Sequence, residues 1–407
     1  MGTITNIITG LDLGSSDVKV LVVAQKQKDK NQDVIIEVMS QVKLPSFGVR
    51  RGVIVDAEKI SLIIQSLFEK VREEVGQKIN SVYVNINGSH LFSVSSRGMV
   101  AVSRADQKIS ETDVERVLQS TKTISLSSNK EILEVFPKEY IVDGEKGIKE
   151  PIGMEGGRLE VEVLLLCGFS PYKKNLTQAV LNANLQILDI IPSSMASASA
   201  VLLPKQKELG VALLDIGAGT SELAVFKEDS LIHLAVFPIG SANITDDIAI
   251  GLQTDINTAE MIKIEKGNCF LKTGNKKEKI ETEDQETLVF SQKTLTKIIE
   301  DRISDIFEQT QKELKKISKE DMLPAGLVLT GGGAKMAGIV ELAKKKLKLP
   351  CRIGKPLNFS GLENDPSYAA VCGLVLHGIN SIERSAPIIS SQGLRAKLKK
   401  LFRIFVP

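Results

Sequence analysis

The sequence predicts an α/β protein of two lobes built on one duplicated plan, with a small α+β subdomain inserted in the first lobe and an amphipathic helix at its end. Three observations carry this. Residues 213–226 (LLDIGAGTSELAVF) repeat the plan of residues 11–23 (LDLGSSDVKVLVV): an apolar strand, an Asp, a Gly two residues on, small residues, and a second apolar strand. From 89 to 166, strand-like runs around one short helix interrupt the alternation of strands and helices. Residues 193–201 (SSMASASAV) and 368–375 (YAAVCGLV) are helices of very small side chains. Small residues let two backbones cross closely, as helices that join two lobes must.

In chain order, residues 7–24 form the first hairpin and 34–42 a third strand. Asp56 is placed to cap a helix that runs to about Val75 and is closed by Gly76. Its Ile60, Ile63, Ile64, Leu67, Phe68, Val71 and Val75 share one face. Residues 81–87 make the next strand. In the insertion, strands are expected at 91–102, 132–142 and 159–166. Ser110 and Asp113 there form a capping box for a helix that buries Val114, Val117 and Leu118. A helix at 171–183 and a strand at 186–191 return to the first lobe. The second lobe opens at Leu209. Helical regions follow from 245 and around 258–263, then a charged hairpin or loop at 272–287. A long helix at 295–316 would bury Ile298, Ile299, Ile303, Ile306 and Leu314 and turn Lys297, Arg302 and Lys312 outward. The expected division is a first-lobe core (1–88, 167–200 and 368–380), the insertion (89–166), a second-lobe core (201–244 and 325–367) and its small subdomain (245–324). A linker (381–393) and a terminal helix (394–407) complete it.

A chain of 407 residues suits two or more domains. Hydrophobic content of 43% with 25% charged residues is ordinary for a globular protein. A net charge of +2 supplies no basic field for nucleic acid. Cys167, Cys269, Cys351 and Cys372 are scattered, and His90, His233 and His377 stand far from them in sequence. Neither a disulfide framework nor a metal site is indicated, which favours a reducing compartment. There is no charged leader followed by an apolar run, and no stretch of the ~18 apolar residues that a membrane span needs. The expected location is the cytoplasm, unless something short tethers the chain.

The chemistry lies in the hairpins. An Asp at a strand end can face a hydrated cation, and Gly with small residues lets consecutive backbone amides turn towards a phosphate. Gly14, Ser15 and Ser16 would form one such anion nest, and Gly217, Gly219 and Thr220 the other. Asp12 and Asp215 would hold Mg²⁺ through its waters, because Mg²⁺ dehydrates reluctantly. Lys19, on the return strand, would reach the phosphates as a point charge. Gly331, Gly332 and Gly333, after the strand LVLT, let the backbone lie against a flat ligand. Glu260 and Lys263 share a helix face, which by spacing alone makes them a surface ion pair.

In this order, the two Asp-x-Gly hairpins and the glycine-rich turn resemble the ATPase superfamily of actin, Hsp70 and the sugar kinases. Its actin-like fold is a duplicated, ribonuclease H-like one. From its first strand to its last residues the chain is similar to the FtsA family of bacterial cell-division proteins. That resemblance implies ATP with Mg²⁺ as ligand, with Glu260 and Lys263 beside the ribose and adenine. It implies self-assembly and an insertion that takes the place of actin's usual small subdomain and contacts other division proteins. It also implies tethering of FtsZ filaments to the cytoplasmic face of the membrane at the division septum. The filament's tail is expected on the second lobe's small subdomain, at Arg302 with Lys297 and Glu300; a solvated helix face is the plain alternative. An acidic, apolar tail suits an Arg beside an apolar groove.

Relatives of this type position the attacking water with a Gln or Glu from the region before the second hairpin. Here that region reads Pro192-Ser193-Ser194-Met195-Ala196-Ser197, so hydrolysis is expected to be slow. Asp17 adds an acidic group near the first nest and is expected to turn outward. A sugar or small-acid kinase would need a carboxylate base that the sequence does not offer. A pilus-assembly ATPase of the same superfamily would leave the tail unexplained, and no β-rich substrate domain follows residue 380 as in Hsp70.

In that tail, LRAKLKKLFRIFVP, Leu394, Leu398, Leu401, Phe402 and Phe405 make one apolar stripe, flanked by Arg395, Lys397, Lys399, Lys400 and Arg403. Such a helix is about 20 Å long, too short for a bilayer core of ~30 Å, and suits the headgroup plane of an anionic membrane. Docking on its own domain or in a partner's groove are the competing readings.

Overall fold

The computed structural model describes residues 3–27, 35–270, 276–281, 287–317, 323–357, 359, 362 and 364–385. The first apolar run becomes β1 (Thr3–Leu13) and folds back as β2 (Asp17–Gln27), with Asp12 opposite Lys19. β3 (Ile35–Pro45) follows, then a small hairpin of β4 (Val49–Arg50) and β5 (Val53–Ile54). In α1 (Ala57–Val75) the Asp56 side chain accepts the Lys59 amide, and Gly76 ends the helix at φ 75°. Ile60, Ile64, Leu67 and Val71 are fully buried; Ile63, Phe68 and Val75 pack at the margin of the core. β6 (Ser81–Ile86) completes this stretch.

The insertion is β7 (Phe92–Ala101), α2 (Glu111–Thr121), β8 (Lys130–Val142), β9 (Glu145–Ile148) and β10 (Arg158–Phe169). Its sheet runs β7-β10-β8-β9, all antiparallel. The capping box at Ser110 and Asp113 forms, and Val114, Val117 and Leu118 join Val161 and Val163 in a separate core. β9 was not anticipated, because EKGI is an exposed edge strand without apolar alternation.

The chain then returns through α3 (Ser170–Asn182), β11 (Gln186–Pro192) and α4 (Ser193–Val201). The second lobe contains α5 (Pro204–Leu209), β12 (Val211–Ile216), β13 (Ser221–Lys227), β14 (Ser230–Phe237), α6 (Ser241–Leu252) and α7 (Ile256–Lys266). β15 (Lys277–Glu281) and β16 (Thr287–Ser291) pair within the charged segment, and α8 (Gln292–Leu314) follows. β17 (Leu327–Thr330), α9 (Ile339–Leu347) and β18 (Cys351–Ile353) complete the lobe, and α10 (Ala369–Ser385) crosses back to the first. The two sheets run β11-β6-β1-β2-β3 and β14-β13-β12-β17-β18. In each, an antiparallel meander is extended by two parallel strands, so the second lobe repeats the first strand for strand.

Several boundaries moved. α6 starts at Ser241 because Asn243 accepts the Gly240 amide and caps it there. α8 starts at Gln292, since its first turn is polar and carries no apolar period. α10 continues past the expected start of the linker, with Ile382 still packed on the first core. The terminal helix expected at 394–407 lies outside the described residues. Among the described residues no helix is long and apolar enough to cross a membrane. The four cysteines are free thiols.

Candidate functional site

The two hairpins carry their acids in matching registers. Asp12 pairs across its hairpin with Lys19, and Asp215 pairs across its own with Glu222. One duplicate therefore sets a cation beside its Asp where the other sets a carboxylate. The Lys19 ammonium lies 3.3 Å from Asp12 Oδ2 and 5.9 Å from the centre of the Tyr368 ring. Burial works to lower its pKa, but Asp12 and Asp17 outweigh that and hold it above the ordinary lysine value. Asp17 therefore does not turn away: it is half-buried and, two residues before Lys19, shares its face of β2.

Asp12 is fixed by a residue that no spacing announced. Asn85, at the end of β6, donates from Nδ2 to Asp12 Oδ1 at 2.7 Å and to Ser193 Oγ at 2.9 Å. Its Oδ1 accepts the Leu13 amide at 2.7 Å. Asp215 accepts from Ser197 Oγ of α4 at 2.6 Å. Burial raises Asp215 to about 6; Ser197 and Lys19 oppose the shift, and Asp12 adds to it. Glu222 is pushed up to about 8 by burial and by Asp215, while its Oε2 accepts the Ser194 amide at 3.0 Å. Both hairpins thus meet α4, the first through Asn85 and Ser193 and the second through Ser197. Asn87 closes the cleft at its edge by donating to Thr220 Oγ1 at 3.2 Å.

The amides of Gly14 and Gly217 are used inside their own turns, bonded to the Asp17 and Thr220 carbonyls at 3.1 and 2.8 Å. The glycine turn after β17 stands against the second hairpin. A side chain at Gly331, φ 83°, would start 2.3 Å from Asp215 Oδ1. Gly332, in contrast, is exposed and faces open space, its nearest neighbour at 4.0 Å. Gly333 is packed on Ile216. α7 is tied to this turn through the Cys269 amide on the Ala337 carbonyl, 2.9 Å. On α7, Glu260 and Lys263 do form an ion pair, at 2.6 Å, but not a superficial one. The Lys263 side chain is 10% exposed, and its ammonium also bonds Thr245 Oγ1 at 2.8 Å and the Ser241 carbonyl at 3.3 Å. A cavity of about 620 Å³ is lined by Ala334 and Lys335 of this turn with Met336, Ile339, Ile353 and Pro366, and by none of the hairpin residues.

Arg302 differs from expectation. Its guanidinium is not a free outward group: it grips Asp247 of α6 with two bonds, 2.6 and 2.9 Å, and Asp305 with a third at 3.2 Å. Lys297 pairs with Asp301, and Glu300 is half-buried on the same helix.

Two lobes of one topology, with paired acidic hairpins facing across a hinge, define an actin-like ATPase fold. Solved structures agree. The PilM–PilN type IV pilus biogenesis complex superposes with a TM-score of 0.64 at 16% identity, over 91% of this chain and 98% of that one. MreB5 of Spiroplasma citri bound to ADP gives 0.57 at 13% identity, over 94% and 99%. The same protein bound to AMPPNP gives 0.56 at 14%, over 94% and 100%. A family profile described as Cell division protein FtsA matches residues 212–373, and one described as the SHS2 domain inserted in FtsA matches 88–167. Cell division protein FtsA of Pseudomonas aeruginosa is 35% identical over 379 residues, 92% of this chain and 89% of that protein. FtsA of Bacillus subtilis is 35% identical over 374 residues, 91% and 82%, and that of Escherichia coli 30% over 388, 92% and 91%. The chain belongs to the FtsA family of cell-division proteins.

Proposed function

We propose that the protein binds ATP with Mg²⁺ between its lobes, self-assembles, and anchors FtsZ filaments to the cytoplasmic face of the membrane at the division septum. The observation that carries nucleotide binding is that both hairpin acids meet helix α4: Asn85 joins Asp12 to Ser193, Ser197 donates to Asp215, and Lys19 stands 3.3 Å from Asp12. Asp12 and Asp215 would hold Mg²⁺ through water, and Lys19 would meet the phosphates. Because the Gly14 and Gly217 amides are spent within their turns, anion binding falls to the amides that follow, at Ser15–Ser16 and Ala218–Thr220. Gly331, Gly332 and Gly333 would lie along the adenosine, with Glu260 and Lys263 on its other side. When bound, magnesium would offset the phosphate charge.

Turnover is expected to be slow. Residues 192–197 offer no carboxylate, and the nearby Glu222 is buried against the Ser194 amide, where burial and Asp215 favour its protonated form. A protonated acid cannot take a proton from water.

For the filament we propose the α6–α8 surface of the second lobe's small subdomain, with Lys297, Glu300 and Arg302. An acidic tail reaching Arg302 would compete with Asp247. Ile250, one turn beyond Asp247 on α6 and 77% exposed, supplies an apolar neighbour. The insertion would receive other division proteins. The tail's stripe of Leu394, Leu398, Leu401, Phe402 and Phe405, with Lys397, Lys399, Lys400 and Arg403, would lie in the headgroup plane. Two measurements test this. Calorimetric titration with Mg·ATP should show one site, and a chain lacking 394–407 should bind ATP unchanged yet fail to sediment with anionic vesicles. A silent titration, or sedimentation that survives the deletion, refutes the corresponding half.

A further inference from the structure

We infer that Arg51 is the side chain that distinguishes a bound nucleoside triphosphate from a diphosphate; this rests on the nucleotide reading above. β4 and β5 pair Arg50 with Val53, so their loop is Arg51-Gly52. Both residues are left-handed, φ 48° and 76°. This is a two-residue hairpin turn of the kind that demands positive φ at both positions and prefers Asn, Asp or Gly in the first. A long, β-carbon-bearing Arg breaks that preference. Departures from local preference that bring no packing gain concentrate at functional sites.

The position of the turn supplies the function. The Gly52 amide donates to Ser15 Oγ at 3.0 Å, fastening the turn to the tip of the first phosphate hairpin. On the other side it abuts the second: a Cβ on Gly219 would lie 3.1 Å from Arg51 Cα and 2.8 Å from Ser15 Oγ. Behind it, a Cβ on Gly52 would lie 2.8 Å from the Gly88 amide nitrogen, next to Asn87, which bonds Thr220. Arg51 is thus rooted where the two hairpin tips meet, beside Ser15 and Gly219. Arg51 is exposed, and none of the ion pairs among the described residues engages it. A guanidinium is charged at every physiological pH, and its planar fork matches phosphate oxygens. Placed at the hairpin tips, it meets the outermost phosphate of a triphosphate and has no counterpart on a diphosphate.

The test is titration of the full-length chain with Mg·ATP and Mg·ADP, in the wild type and in Arg51→Gly and Arg51→Lys. Gly suits the turn better than Arg, so the melting temperature of nucleotide-free Arg51→Gly should match or exceed that of the wild type. Its affinity for ATP should fall by about tenfold or more, the scale of one charge-assisted hydrogen bond, with ADP within roughly twofold. Arg51→Lys keeps the charge and should recover part of the loss. Equal losses for ATP and ADP, or unchanged ATP binding, overturn the assignment to Arg51. A wild-type chain that binds neither nucleotide overturns the nucleotide reading itself.

Discussion

Replacing Gly373 by alanine tests the hinge. Gly373 lies in α10 where that helix crosses α4, and a Cβ there would sit 1.7 Å from the Ala196 carbonyl oxygen and 2.2 Å from its carbon. The obstacle is backbone, so no rotamer change relieves it and the helices must part. In an open helix, alanine would gain about 1 kcal/mol over glycine. Overpacking a tight contact costs typically about 1–3 kcal/mol, and here the upper end applies because the contact is with backbone. Roughly 2 kcal/mol of net destabilisation remains, a fall of about 4–8 °C in melting temperature for domains of this size. Differential scanning calorimetry with and without Mg·ATP is the assay. Because α4 also holds Asp215 through Ser197, nucleotide affinity should weaken along with stability. A Gly373→Ala protein that melts at or above the wild-type temperature would show that the two helices do not cross at this residue.

Gly332→Ala makes the opposite case: its nearest neighbour is 4.0 Å away, so stability should hold while calorimetry registers weaker nucleotide binding. Glu222 has a folded pKa of about 8 against an ordinary 4.5, so the folded protein holds a proton that the unfolded chain releases. Its contribution is present below about 4.5 and is lost as pH rises towards about 8. In thermal melts of nucleotide-free protein, Glu222→Gln should flatten that decline, and an unchanged slope would refute the assignment. A double-mutant cycle on Arg302→Ala and Asp247→Ala, read by denaturant unfolding, should give a coupling of about 1 kcal/mol, since the pair is only partly shielded from water; additivity would mean that Arg302 is free. Ser110→Ala should cost about 1 kcal/mol by removing the α2 cap, with chemical denaturation as the readout.

How far the sequence reached can be judged residue by residue. The facing of Asp12 with Lys19, and the matching place of Asp215, were legible because hairpin spacing is local: a short turn fixes which residues face each other. Asn85 was not, since its partners Asp12 and Ser193 are distant in the chain and a lone Asn at a strand end has no pattern. Glu222 carried a signal that went unused. Superimposing the two hairpins puts it where Lys19 stands, so the duplication itself marks it. The partners of Arg302 were hidden for a different reason. Helical periodicity identifies an outward face but not what packs beside it, and Asp247 arrives from α6. The fold was readable to a similar depth. Apolar periods gave α1 and the main strands, while the polar edge strand β9 and the polar first turn of α8 gave no period to read.

Helix α4 unites these points. Its small side chains allow a close crossing, and the hydroxyls of Ser193 and Ser197 also form hydrogen bonds. Ser193 meets Asn85 of the first lobe, the Ser194 amide meets Glu222 of the second, and Ser197 meets Asp215. Between them, Ala196 lies under Gly373. Ser194 and Ser197 are fully buried, so a longer side chain at either position would push the lobes apart. Alanine at 197 would fit, but it would strip Asp215 of the donor that eases its ionisation against the burial that opposes it. The same nine-residue helix therefore lies at the crossing of the lobes and hydrogen-bonds the acids of the second hairpin. A rotation of one lobe on the other would strain the bonds that α4 makes to both. A substitution in α4 is therefore expected to change the packing of the lobes and the bonding of Asp215 together.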